Sequence, residues 1–196
     1  GTIPAMTLSG FIGALGARTP SPGGGAVAAL LGASGAGLLL WAAEYGTWEE
    51  GSSDPRPRLK ELSAGLLALA QEDTEVFAAY YSIRGKKDSD PEGFSRAVGA
   101  MTEVPAKFCE RAVEALETVP EILRHAPRSY ACDIAIAVAG LEACADGGRL
   151  LAGVNLGFQG GPGREQMSAR LSAVEAKLEK VRHANSPLLM RALPGK

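Results

Sequence analysis

The chain has 196 residues, 46% of them hydrophobic, which argues against disorder and leaves enough length to bury one sizeable core. Its 20 Lys and Arg are matched by 22 Asp and Glu, so the basic excess of a general nucleic-acid binder is missing. Three cysteines, Cys109, Cys132 and Cys144, form no CxxC pair, which disfavours a disulfide framework or a zinc site and fits buried free thiols in a reducing cytosol.

No basic stretch precedes an apolar core at the N-terminus, so no secretory signal is expected and the protein is placed in the cytoplasm. A first helix is predicted over residues 7–17. A turn follows, rigid in Pro20 and Pro22 and flexible in Gly23, Gly24 and Gly25. It feeds a long apolar helix over residues 24–45. The 18 residues from 26 to 43 carry no charge and reach the lower limit of a membrane span. Small and polar residues within it, and flanks without Lys or Arg clusters, favour a buried core helix and no membrane partner. A polar loop at 51–55 then places Asp54 before Pro55, a helix-start signal.

The next helix, over residues 57–84, has the clearest pattern. Leu59, Leu62, Leu66, Leu69, Asp73, Val76, Tyr80 and Ile83 alternate by three and four, one face of a helix with a single charged member, Asp73. Beyond a charged loop, helical pattern resumes over 91–119, where Pro105 is expected to kink or divide it. A short helix is predicted at 120–125. Asp133 is then expected to open an apolar helix reaching Asn155 and closed by Gly157. Glycines at 160–163 precede a last helix with Met167, Leu171, Val174, Leu178 and Val181 on one stripe. With strand and hairpin signals scarce and small residues abundant, the fold class is all-α: a single-domain, multihelical up-and-down bundle over residues 1–196 with a long buried helix rich in small residues.

Few residues are placed to carry chemistry. A carboxylate inside an apolar stripe is costly to bury unless paired or protonated, and burial raises its pKa toward the range of a general acid or base at neutral pH. Asp73 is therefore the candidate catalytic group, against the plainer role of pairing with a neighbouring helix. Gly23, Gly24 and Gly25 leave backbone N–H groups open at a helix N-terminus, which is an anion site or simply a tight turn. Arg84, Lys86 and Lys87 form a basic cluster. Arg84 follows Asp73 by 11 residues, about three helical turns, so an acidic ligand could bridge the two. Asp133 and Asn155 mark opposite ends of one helix, about 33 Å apart, so one chain cannot bring both to one site, whereas two subunits can. Asp133 suits an N-cap equally well. His125 and His183 show no metal spacing, and no metal is expected.

The run Thr19-Pro20-Ser21-Pro22-Gly23-Gly24-Gly25-Ala26-Val27-Ala28-Ala29-Leu30 resembles the signature of the formiminotransferase-cyclodeaminase C-terminal domain family, Pro-Thr-Pro-Gly-Gly-Gly-Ser before an Ala-rich helix. The resemblance continues through Asp73-Thr74-Glu75-Val76-Phe77, Arg96-Ala97-Val98, Val104-Pro105, Asp133 and Val154-Asn155-Leu156. It implies a helical bundle that dimerises and binds a tetrahydrofolate derivative as substrate, with Asp73 at the position of the catalytic carboxylate. The implied reactions are cyclodeamination of a formimino group and hydrolysis of a methenyl bridge. Gly23, Gly24, Gly25, Asp133 and Asn155 are implied to line the substrate site. Lys86 or Lys87 is implied to hold the pterin or glutamate end. The chain departs from the pattern at Ala26, where the family has Ser, at Cys132, also Ser there, and at residues 45–50, which lack the family's lysine. These losses frame the alternative to an enzyme, a folate-binding or structural dimer without catalysis.

Overall fold

The computed structural model describes residues 2–49 and 53–193, and the residues at 50–52, part of the expected polar loop, lie outside them. Seven α-helices form among the described residues: α1 (Leu8–Leu15), α2 (Gly24–Glu44), α3 (Arg56–Ile83), α4 (Pro91–Leu116), α5 (Val119–His125), α6 (Ala131–Leu156) and α7 (Pro162–Ala192). Local chemistry fixes several starts. Thr7 Oγ1 accepts the Gly10 N–H at 3.1 Å to cap α1, and Asp90 Oδ1 accepts the Gly93 N–H at 2.9 Å to cap α4. Asp54 acts just before α3, accepting the Arg56 N–H at 3.0 Å.

One expectation needs correction and another is narrowed. The helix expected to open at Asp133 opens at Ala131 after the N-cap Tyr130, so Asp133 sits in the first turn and caps nothing. Of the two outcomes expected at Pro105, the division does not occur: α4 runs through it as one helix. A proline in a helix interior leaves the carbonyl four residues back without its N–H partner. Here that carbonyl belongs to Met101, and Asn155 Nδ2 of α6 donates to it at 2.7 Å. A neighbouring helix thus supplies the bond that Pro105 cannot, which lets α4 run on.

Helices α2, α3, α4 and α6 form a ring, each packed on the next, with α2 touching α6 to close it. Successive members of the ring alternate in direction. The seam read on α3 faces inward: Leu59, Leu62 and Leu66 are fully buried, among Leu39 of α2, Phe108 of α4 and Leu141 of α6. The α2–α6 contact depends on absent side chains. A β-carbon on Gly35 would lie 2.7 Å from the Ala137 carbonyl oxygen, so only glycine permits this approach. Helix α7 lies outside the ring, against α6 and α4. Its predicted stripe, Leu171 to Val181, is buried there, and Arg170 fastens it to Glu110 (2.5 Å) and Glu103 (2.7 Å) of α4. The expectation of buried thiols holds for Cys109 and Cys144, while Cys132 is exposed because it faces outward from the first turn of α6.

Helix α2 is long and apolar enough to cross a membrane by length and composition, the one such helix among the described residues. Just over half of its apolar window is buried in the bundle. Its other face lies open along Leu31, Ser34, Trp41 and Tyr45.

Candidate active site

One end of the ring gathers the start of α2, the C-terminal half of α3, the N-terminal half of α4 and the end of α6. Between them lies a cavity of about 260 Å³. Its wall includes Gly23, Gly24 and Gly25 from α2, Asp73 and Phe77 from α3, Met101 and Pro105 from α4, and Leu151 and Asn155 from α6.

Asp73 sits in a notch that only glycine leaves open. A β-carbon on Gly25 would overlap the Asp73 carboxylate. The carboxylate accepts a hydrogen bond from the Ala26 backbone N–H, so the anion at the α2 N-terminus is the protein's own Asp73. Burial raises the Asp73 pKa to about 6, against the lowering effect of that bond. No cation pairs with it among the described residues. The result is a carboxyl group that both gives and takes a proton near neutrality, in a mainly apolar cavity.

Asn155 is held by the Met101 carbonyl. A carbonyl can only accept, so Nδ2 faces it and Oδ1 is left as an acceptor at the cavity wall. Phe77, one helical turn beyond Asp73, supplies an apolar surface.

Five of the residues singled out in the sequence therefore meet here: Gly23, Gly24, Gly25, Asp73 and Asn155. Four do not. Arg84 is exposed and folds back, its guanidinium 3.4 Å from the Tyr81 ring centre and its Nη1 donating to the Tyr81 carbonyl at 2.6 Å. That local contact turns it away from Asp73, so the bridging geometry drawn from helical spacing does not form. Lys86 is exposed in the loop after α3. Lys87 borders a second cleft, about 550 Å³, with Phe94, Val98, Phe158 and Gln159. Asp133 lies at the opposite end of α6.

The two cavities adjoin. Met101 borders the first and Val98 the second, one turn apart on α4, and Asn155 of α6 and Phe158 just beyond its end divide in the same way. Tyr80 of α3 connects them through ring contacts to Phe77 at 6.3 Å, Phe94 at 6.1 Å and Phe158 at 6.4 Å. Sequence reasoning missed Phe77, Met101 and Leu151 as wall residues. Pro105 held a usable signal, since a proline in mid-helix demands a donor for the carbonyl four residues back. Among the described residues, no group of three or more His, Cys, Asp or Glu is placed to hold a metal ion.

Comparison with known proteins adds to this geometry. The family model described as formiminotransferase-cyclodeaminase matches residues 7–160. The mouse (Mus musculus) formimidoyltransferase-cyclodeaminase is 29% identical over 150 residues, covering 69% of this chain and 28% of that protein. The chicken (Gallus gallus) formimidoyltransferase-cyclodeaminase is 28% identical over 163 residues, covering 76% of this chain and 30% of that protein. The chain thus spans about three tenths of the curated relatives it matches. A crystal structure of formiminotetrahydrofolate cyclodeaminase from Thermotoga maritima superposes with a TM-score of 0.85 at 20% identity, covering 96% of this chain and 98% of that one.

Proposed function

Because the chain belongs to the formiminotransferase-cyclodeaminase family, we propose that its end-of-bundle cavity takes the pterin part of a tetrahydrofolate derivative and that Asp73 is the proton carrier of a cyclodeamination. Substrate N10 attacks the formimino carbon on N5, and N10 loses its proton. The former imine nitrogen gains protons and leaves as ammonia, and the carbon becomes the methenyl bridge between N5 and N10. A group with a pKa near 6 at the reacting carbon passes the proton from N10 to the departing nitrogen. Hydrolysis of a methenyl bridge needs the same kind of transfer, from an attacking water, and is the neighbouring reaction for this site.

The observation that carries this reading is the unpaired carboxyl of Asp73, raised toward neutrality at the wall of an apolar cavity. The cavity suits a bicyclic ring rather than a whole folate. The adjoining cleft supplies the remainder, with Phe94 and Phe158 beside an aminobenzoyl ring and Lys87 for a glutamate carboxylate. In this reading the protein is a cytoplasmic homodimer whose ligand is the small folate, without nucleic acid, membrane or metal.

Asp73→Asn tests it. Turnover of 5-formiminotetrahydrofolate, followed by the absorbance of the methenyl product, is expected in the wild type and not in the variant, with helical circular dichroism unchanged. Equal turnover by both removes Asp73 from the chemistry. Ala26 and Cys132, where the family pattern has Ser, favour the second reading, a folate-binding dimer without catalysis. Calorimetric binding of 5-formyltetrahydrofolate by a wild type without turnover selects it.

A further inference from the structure

Asn185 of α7 is 2% exposed, and its amide is used on one side only. Nδ2 donates to the Leu116 carbonyl at 3.0 Å, at the C-terminus of α4. Oδ1 is buried without a donor among the described residues. The Leu116 carbonyl can only accept, so the amide cannot turn over to exchange its two ends. An acceptor buried without its bond is destabilising, and it marks a place where a donor belongs.

The same residue lines a cavity of about 280 Å³ between α7, the end of α4 and the start of α5. This cavity is remote from Asp73. Pro105 borders the Asp73 cavity and Glu117 this one, 12 residues or about 18 Å apart along α4. The charges around it sort into two sets. Lys177 and Lys180 are neighbours on one face of α7, and neither has an ion pair among the described residues. Glu117 also has no ion pair among them. It follows Leu116, whose carbonyl holds Asn185, so the two acceptors of the cavity stand together. Val181, Ala184 and Pro120 add an apolar wall.

The geometry points to a binding site for a small zwitterion, an α-amino acid with an apolar side chain. Its ammonium group donates to Asn185 Oδ1 and to the Glu117 carboxylate. Its own carboxylate takes Lys177 and Lys180, and its side chain lies along Val181 and Pro120. An anion alone leaves Oδ1 without a donor and sets a second negative charge beside Glu117. An amine alone faces two lysines. A molecule with both charges satisfies all four polar groups. The site shares no residue with the Asp73 cavity and stands apart from the folate reading.

Titration calorimetry of the full chain with L-leucine, isovalerate and isoamylamine tests this. Isovalerate keeps the carboxylate and the branched chain of leucine without the ammonium group, and isoamylamine keeps the ammonium group without the carboxylate. Leucine is expected to bind once per chain and to raise the thermal midpoint, and each of the other two to bind at least about tenfold more weakly. Glu117→Gln, and Lys177→Gln together with Lys180→Gln, are each expected to weaken leucine binding by about tenfold or more. All three side chains are exposed, so the urea midpoint is expected to stay put and a loss of binding is not a loss of fold. Asp73→Asn is expected to bind leucine as the wild type does. No binding at about 10 mM leucine overturns the site. So does isovalerate bound as tightly as leucine, undiminished binding in the Glu117 and lysine variants, or binding lost in Asp73→Asn, which would place the amino acid in the other cavity.

Discussion

The two halves of α3 carry the same three-four spacing and end in different surroundings. In the N-terminal half, Leu59, Leu62 and Leu66 are fully buried, and large side chains from the facing helices fill the space they reach. In the C-terminal half, Asp73, Val76 and Tyr80 point the same way but stay half-buried. There the facing residues are Gly25 of α2 and Pro105 of α4, and a cavity remains. Periodicity thus tells which face of a helix turns inward. Whether the inward space is packed or open is decided by the helices opposite.

The largest effect expected along this seam comes from Asp73→Asn. Loss of a general acid-base group lowers turnover by about 10²–10⁴-fold. Stability moves the other way. The folded pKa of about 6 lies above the unfolded value near 3.8, so the folded state holds the extra proton between those limits. The contribution of Asp73 to stability is therefore fully present below pH ~4 and is lost as pH rises through ~6. Asp73→Asn removes that loss, and at pH 7.5 it is expected to be the more stable protein by up to about 3 kcal/mol. Urea denaturation at pH 4.5 and 7.5 checks the sign, since the gap between the two proteins must widen with pH.

Next comes a pair of truncations that sets the two halves against each other. Leu66→Ala opens a cavity in the packed half and is expected to cost about 2–5 kcal/mol, leaving the KM of the surviving fold unchanged. Phe77→Ala only enlarges a space that is already open and is expected to cost less than half as much, while raising KM. Equal stability losses at the two positions would show that the C-terminal half is packed like the N-terminal one.

How far the sequence reveals these features depends on their range. The α3 seam, the α7 stripe and the starts at Thr7 and Asp90 are legible because they depend on neighbours three or four residues away. Asp73 stands out for the same reason, as the one charge in an apolar row. Arg84 misleads by that logic. Helical spacing puts it on the Asp73 face, yet the tyrosine three residues before it captures its guanidinium. The Gly25 notch is visible in the sequence as a glycine but not as a seat for Asp73, because that contact joins positions 48 residues apart on different helices.

Gly25→Ala tests that seat directly. The added methyl group overlaps the carboxylate, so Asp73 must turn away or α2 must shift, at about 1–3 kcal/mol. Turnover is expected to fall nearly as far as in Asp73→Asn, and any pH limb near 6 in kcat/KM to move, since the Ala26 N–H no longer reaches the carboxylate. Gly24→Ala, where an added methyl meets open space, is the control and is expected to keep its fold.

The smallest effect concerns the proline that opens the cavity. Asn155→Ala leaves the Met101 carbonyl without its donor, at about 1 kcal/mol for a neutral hydrogen bond at a partly wet site. The same carbonyl regains a partner if residue 105 has an N–H of its own. Pro105→Ala supplies one within α4, so in that background Asn155→Ala is expected to cost almost nothing in stability. A double-mutant cycle by urea denaturation should return a coupling of about 1 kcal/mol between positions 105 and 155. A coupling near zero would mean that α4 tolerates the orphaned carbonyl and that Asn155 is held at the cavity wall by something else. The KM effect of Asn155→Ala should persist in both backgrounds, because Oδ1 is lost whether or not Met101 has found another donor.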